Sequence, residues 1–239
     1  MNSTSKRLIK HYHDPFPYTI IDDCYNEEEL GIILEEFNDI YDKKMMLPPW
    51  GTAAAMVKGN FLKRNIGAFI HPNAPSEFPK LLCDLSNPAL IQEHPHWFYN
   101  KCKICAGNML ISYYDDGDYY KSHYDSATIT VLTWFYKEPK RCSGGELRFK
   151  DYDLIIEAKY NRTLIFPSLH YHEVLPVKME KGYEHKGYGR YVISQFLNNV
   201  EVAGRGRRKG QTMFERDFHN LLTSEDVQFT DVLALKKDD

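Results

Sequence analysis

The sequence contains no run of about 18 apolar residues that could span a bilayer. Its opening, MNSTSKRLIKHYHDPFPY, lacks the apolar core of a secretory signal. No membrane association is expected, and the reading is a soluble, intracellular, cytoplasmic protein. A disulfide framework is lacking as well: the five cysteines, at 24, 83, 102, 105 and 142, are odd in number and scattered. Cys102-Lys-Ile-Cys105 is a C-x-x-C, but a single pair lacks the other two ligands of a closed zinc site, so two partly buried thiols are expected. Neither sign of charge dominates. Thirty Lys and Arg against 33 Asp and Glu give a formal net charge of -3, which removes the global basic excess of a nucleic-acid binder. Internal repeats are also missing. What is present is ordinary globular material: 239 residues, 43% hydrophobic and 14% aromatic.

The chain divides by character near residue 107. Before it, PYTIIDD reads as a short strand, and NEEELGIILEEFNDIYDKK carries helical spacing at Leu30, Ile33, Leu34 and Phe37. Asn26 with Glu29 three residues later predicts a capping box. MMLPPWGTAAAMVKGN reads as a long loop around Trp50 and is a candidate lid. SEFPKLLCDLSNPALIQEH reads as helix broken by Pro79 and Pro88. From 107 onward come eight β-prone runs: NMLISYY, YYKSHYD, TITVLTWFY, GELRF, DLIIEA, TLIFP, HEVLPV and RYVISQFL. With turn signals between them and no long helix for parallel crossovers, an antiparallel jelly roll follows. The expected organisation is one domain over 1–239. A strand, helices and the lid loop occupy 1–106 and the β core 107–198, with a basic loop and a helix or tail over 199–239.

Chemistry concentrates in two of the runs. On a strand, positions i and i+2 share a face, so His123 and Asp125 can aim an imidazole nitrogen and a carboxylate oxygen at one point. Alone, such a pair is equally a surface hydrogen-bonded couple. TLIFPSLHYHEVLPV adds His172 at the start of another strand, 47 residues beyond Asp125. Two histidines, one carboxylate and open positions form the facial triad of non-haem Fe(II) oxygenases. In GYGRYVISQFL, Arg190 alternates with Val192, Ser194 and Phe196 on one face. Its planar fork suits a carboxylate, although a strand-end surface arginine reads the same way.

Together, HYD, SGGELRF, FPSLHYHEV continuing to LPV, and GRYVISQFL resemble the 2-oxoglutarate- and Fe(II)-dependent dioxygenases, in their prolyl 4-hydroxylase-like branch. The pieces arrive in family order over roughly 107–198, and PYTIIDDCYNEEEL resembles that branch's entry strand and helix. The resemblance implies a mainly β (α+β) double-stranded β-helix, cupin-like, with N-terminal helices packed on one sheet. It implies Fe(II) held by His123, Asp125 and His172, and 2-oxoglutarate paired with Arg190. Tyr113, preferred over Tyr114, is implied to hydrogen-bond the cosubstrate, and Trp134, or Tyr136 on its face, to wall its pocket. Trp50 and Tyr119 fall in the lid candidates at 45–60 and 115–121.

Two departures stand out. Arg190 lies 18 residues after His172, a longer gap than the family's, which reads as a lengthened hairpin with Lys181 as a lesser anion partner. His170 shares a face with His172, and the HEVLPV continuation selects His172. The implied activity is hydroxylation of a C-H bond, of a prolyl residue in a peptide or protein, using O2, with ascorbate as reductant and succinate and CO2 released. Alternatives are the same chemistry on a free amino acid or other small molecule, or a non-catalytic metal-binding module meeting an anionic partner through GRGRRKG. A nucleic-acid partner is not expected.

Overall fold

Strand-forming sequence in the second half needs something to cover both faces of its sheet, and the first half supplies it. In the computed structural model, which describes residues 7–52, 54–71 and 76–199, the first half runs β1 (Leu8–Tyr12), β2 (Tyr18–Asp22), α1 (Glu27–Asp42), β3 (Met56–Val57), β4 (Asn60–Phe61) and β5 (Ile66–Ile70). Three short helices follow, α2 (Glu77–Leu85), α3 (Pro88–Ile91) and α4 (Trp97–Lys101). The second half is β6 (Ile104–Tyr114), β7 (Tyr120–His123), β8 (Ile129–Phe135), β9 (Cys142–Gly144), β10 (Leu147–Phe149), β11 (Leu154–Ile156), β12 (Arg162–Pro167), β13 (His172–Val174), β14 (Val177–Met179) and β15 (Arg190–Asn199).

A seven-stranded antiparallel sheet, in the order β1-β2-β12-β8-β15-β6-β5, faces a four-stranded one, β11-β10-β13-β7. This is the expected double-stranded β-helix. Both faces of the larger sheet are covered at β8, all seven of whose residues are buried. Its outward side chains, among them Ile129, Val131 and Phe135, pack with Ile33 and Phe37 of α1 and Leu82 of α2. Its inward ones, Leu132 and Trp134, pack with Leu147 and Phe149 of the smaller sheet.

The capping box forms as expected. Asn26 Oδ1 accepts from the Glu29 amide at 3.0 Å, and Glu29 Oε2 accepts from the Asn26 amide at 2.8 Å. Of the two prolines expected to break the second helical stretch, only Pro88 does so, opening α3. Pro79 is the third residue of α2, where no intrahelical donor is required, and is tolerated. The loop around Trp50 contains a short 3-10 turn, Pro49–Gly51, and the hairpin of β3 and β4. Beyond the hairpin, the Arg64 amide donates to Tyr119 O and the Lys121 amide to Leu62 O, so segment 62–64 covers the free edge of β7.

The 18-residue gap before Arg190 holds β14, which pairs with β9, and a turn-rich stretch in which Lys181 is exposed. Cys24, Cys83, Cys102 and Cys142 are free thiols; the side chain of Cys105, the basic segment 205–209 and the expected C-terminal helix lie outside the described residues. Among the described residues no helix is long and apolar enough to cross a membrane.

Candidate metal and cosubstrate site

His123 ends β7 and His172 begins β13, and the two strands pair with these residues directly opposed. Asp125 lies two residues past the end of β7. It is held there by its amide, which donates to Ser168 O at 3.1 Å, and by Thr130, which donates to Asp125 Oδ2 at 2.7 Å. Thr130 Oγ1 is in turn 2.8 Å from Ser168 Oγ. One ligand atom from each of His123, Asp125 and His172 lies within 4.8 Å of the others, the only such group among the described residues. His123 Nε2 is 3.8 Å from Asp125 Oδ1, and His172 Nε2 is 3.6 Å from Asp125 Oδ2.

Both imidazoles are oriented by the same device. His123 Nδ1 lies 2.8 Å from Lys121 O, and His172 Nδ1 lies 2.9 Å from His170 O. A carbonyl oxygen only accepts, so each Nδ1 carries a proton and each Nε2 is the ring atom turned toward Asp125. Burial, then the neighbouring His172, depresses the pKa of His123, so that ring is neutral. Two imidazoles aimed through Nε2 and one carboxylate fit a divalent iron with coordination positions left over. His170 is elsewhere: its ring stacks on Phe16 and its Nδ1 lies 2.9 Å from the Tyr152 hydroxyl.

The triad opens onto a cavity of about 750 Å³ between the sheets, and Arg190 lies in its wall. Arg190 is 1% exposed, and its Nε and Nη1 have no hydrogen-bond partner among the described residues. Its guanidinium sits 4.7 Å from the Tyr114 ring centroid. A buried guanidinium with two unmet donors is costly unless an anion completes it, and its fork suits a carboxylate.

Three expectations need correction. Tyr113 is not on the cavity wall: it points outward, donating to Asp115 Oδ2 at 2.8 Å and accepting from the Gly189 amide at 3.1 Å. Tyr114 lines the cavity instead, because it pairs directly with Arg190 across β6 and β15, and opposed residues share a face. That cross-strand pairing is what decides between the two tyrosines. Trp134 is fully buried between the sheets but does not line the cavity; Leu132, two residues earlier on the same face, does. Tyr136 is likewise buried there, donating to Ala158 O. Tyr119 does not line the cavity, and its strand neighbour Tyr120 does, stacked on His123 with centroids 3.5 Å apart. Trp50 does line the mouth, with Ala54, Met56 and Phe61 from the candidate lid.

A residue the sequence did not single out is Lys63, just after β4. It is 4% exposed, lines the cavity, and donates to Thr52 Oγ1 at 2.7 Å. Burial pushes its pKa down to about 8.

A jelly roll with a His-Asp-His cluster, both imidazoles buried, open to a cavity has the donor set of the non-haem Fe(II) oxygenases. Residues 109–198, which contain every candidate ligand and Arg190, match the family model of the 2OG-Fe(II) oxygenase superfamily. An uncharacterised PKHD-type hydroxylase of Synechocystis is 28% identical over 96 residues, a match spanning 37% of this chain and 28% of that protein. Among solved structures, a Pseudomonas putida prolyl 4-hydroxylase superposes with a TM-score of 0.55 at 15% identity, covering 76% of this chain and 92% of that one. A Trichoplax adhaerens prolyl hydroxylase, solved with a hypoxia-inducible-factor peptide fragment, gives 0.58 at 16% identity, covering 80% and 87%. These two likenesses establish the fold they share with this chain.

Proposed function

We propose that the protein is an Fe(II)- and 2-oxoglutarate-dependent hydroxylase acting on a C-H bond of a prolyl residue in a peptide or protein, with ascorbate as reductant. The observation that carries this reading is the convergence of His123, Asp125 and His172 in the same cavity as a buried Arg190 with unmet donors. When bound, iron and 2-oxoglutarate supply O2 activation, and the cosubstrate leaves as succinate and CO2.

The chain's own residues do the rest. His123 and His172 offer Nε2 because their Nδ1 protons are committed to Lys121 O and His170 O. Thr130 occupies one lone pair of Asp125 Oδ2, which leaves Oδ1 the freer oxygen. Arg190 meets the far carboxylate of the cosubstrate, with Tyr114 beneath its guanidinium. Apolar wall residues such as Leu132, Leu147 and Val192 exclude water from the reacting carbon. Mouth residues Trp50 and Phe61 favour an apolar ring such as that of proline.

The test is incubation with Fe(II), ascorbate, 2-oxoglutarate and a proline-containing peptide library, reading succinate and a +16 mass shift. His172→Ala is expected to abolish both signals and His170→Ala to keep most of them. The reverse pattern overturns the ligand assignment, and succinate without any +16 product overturns the prolyl substrate.

A further inference from the structure

His170 lies two residues from His172 and stays outside the triad, and the reading above leaves it without a role. It belongs to the turn 168–171, which joins β12 to β13. That turn carries two backbone acceptors on which the proposed ligands depend. Ser168 O accepts from the Asp125 amide at 3.1 Å, and His170 O accepts from His172 Nδ1 at 2.9 Å. His123 is oriented by Lys121 O within β7 and does not rely on the turn.

The carbonyls of a turn are held only as firmly as its side chains hold the turn. Leu169 is 72% exposed, and Tyr171 packs on Tyr124, which is itself half exposed. Ser168 is buried and reaches Thr130 Oγ1 at 2.8 Å. His170 supplies the second anchor by turning inward. Its ring stacks on Phe16 with centroids 4.0 Å and planes 22° apart, and its Nδ1 lies 2.9 Å from the Tyr152 hydroxyl. Phe16 is 4% exposed and packs on Phe149 of β10, so the imidazole is keyed to the core between the sheets. Rotating the His170 backbone far enough to turn its carbonyl from His172 would drag the ring off Phe16 and lose that stacking.

We propose that His170 is a positioning residue for the metal centre: held by Phe16 and Tyr152, it fixes the turn so that His170 O aims the His172 ring and Ser168 O places Asp125. The inference rests on the preceding reading of His172 and Asp125 as ligands. Losing a group that orients a metal ligand weakens metal binding about 10- to 100-fold. His170→Ala leaves the carbonyl in place and removes its anchor, so the lower end, about tenfold, is expected. The deficit is one of affinity, and saturating Fe(II) overcomes it, which is how that variant keeps most of its turnover in the incubation above.

Two measurements test this without turnover. In metal-free protein with isotope-labelled histidine, NMR reads the Nδ1 protons of His123 and His172, each held by a carbonyl. His170→Ala is expected to open the His172 proton to rapid solvent exchange and to leave the His123 proton protected. His170→Phe, which keeps a ring against Phe16, is expected to protect both. Anaerobic calorimetry of Fe(II) binding to the apoprotein should find His170→Ala about tenfold weaker than wild type and His170→Phe close to wild type. Loss of both histidine protons together in His170→Ala marks a general loosening of the fold and overturns the proposal. So does protection of both in that variant, an exchanging His172 proton in the wild type, or an Fe(II) affinity that His170→Ala leaves unchanged. A wild type that binds no Fe(II) at all counts against the preceding reading, and the metal-free spectra then still decide whether His170 positions the His172 ring.

Discussion

Asp125 shows how much a single side chain here depends on neighbours that never touch a ligand. It lies past the end of β7, so no ladder fixes it; Thr130 and the Ser168 carbonyl do. Thr130→Val keeps the volume of a fully buried residue and removes that donor. It is expected to weaken divalent-metal binding about 10- to 100-fold, the usual effect of losing a group that orients a ligand, as read by metal titration of the apoprotein. Lys63 has a different signature, because burial lowers its pKa from 10.5 to about 8. Between those values the unfolded chain binds the extra proton and the folded one does not, so stability rises with pH across that window. Below about pH 8 the buried charge costs the fold roughly 3 kcal/mol. Lys63→Met should therefore be more stable than wild type at pH 7 in the metal-free protein, with the advantage shrinking toward pH 10. Urea melts at a series of pH values check this, and a pH-independent difference contradicts it.

Strands explain both what the sequence revealed and what it hid. The eight β-prone runs correspond to strands because their alternation, or the β-branched and aromatic richness of β8, records which faces are covered. Arg190, Val192, Ser194 and Phe196 were legible as one face by the period of two. Tyr114 was not chosen because two adjacent tyrosines offer the period no preference, and only cross-strand pairing with Arg190 decides between them. β5 stayed hidden since IGAFI is short and contains a glycine, and β1 since LIKHY hardly alternates. Lys63 carries no sequence signal at all, because its burial arises from a hairpin folded over a strand edge distant in the chain. One element-level consequence is testable at Gly145, which precedes β10 with φ +74°. A Cβ there would lie 2.6 Å from Arg190 Cδ and 2.9 Å from Val177 Cγ2. Gly145→Ala is expected to strain the turn and push the guanidinium aside. The affinity for 2-oxoglutarate should drop about tenfold or more, roughly 1.4 kcal/mol, with metal affinity retained. Calorimetry of the two ligands in sequence reads the difference.

Across the whole molecule, rigidity and access are divided between the halves of the chain. Helices α1 and α2 brace the outer face of the large sheet, while the loop and hairpin ahead of β5 border the cavity mouth. Trp50, Tyr124 and Tyr171 are each 42–50% exposed and all line that cavity, so a docking chain meets aromatic surface before it meets the triad. The covering of the β7 edge by segment 62–64 then acquires a kinetic meaning. The amides of Arg64 and Lys121 are bonded across that seam, two residues from His123 in one case and next to Lys63 in the other. If the hairpin swings to admit substrate, those two protons are the ones released to solvent, and a bound substrate should seal them. Their deuterium uptake is expected to slow when a proline peptide binds, while uptake in β8, buried on both faces, stays constant. Slowed uptake confined to β8 would place the moving part elsewhere. A seam that joins the mouth to the strand carrying His123 would let the arrival of substrate be felt at the proposed metal site as a change in backbone breathing rather than as a new contact.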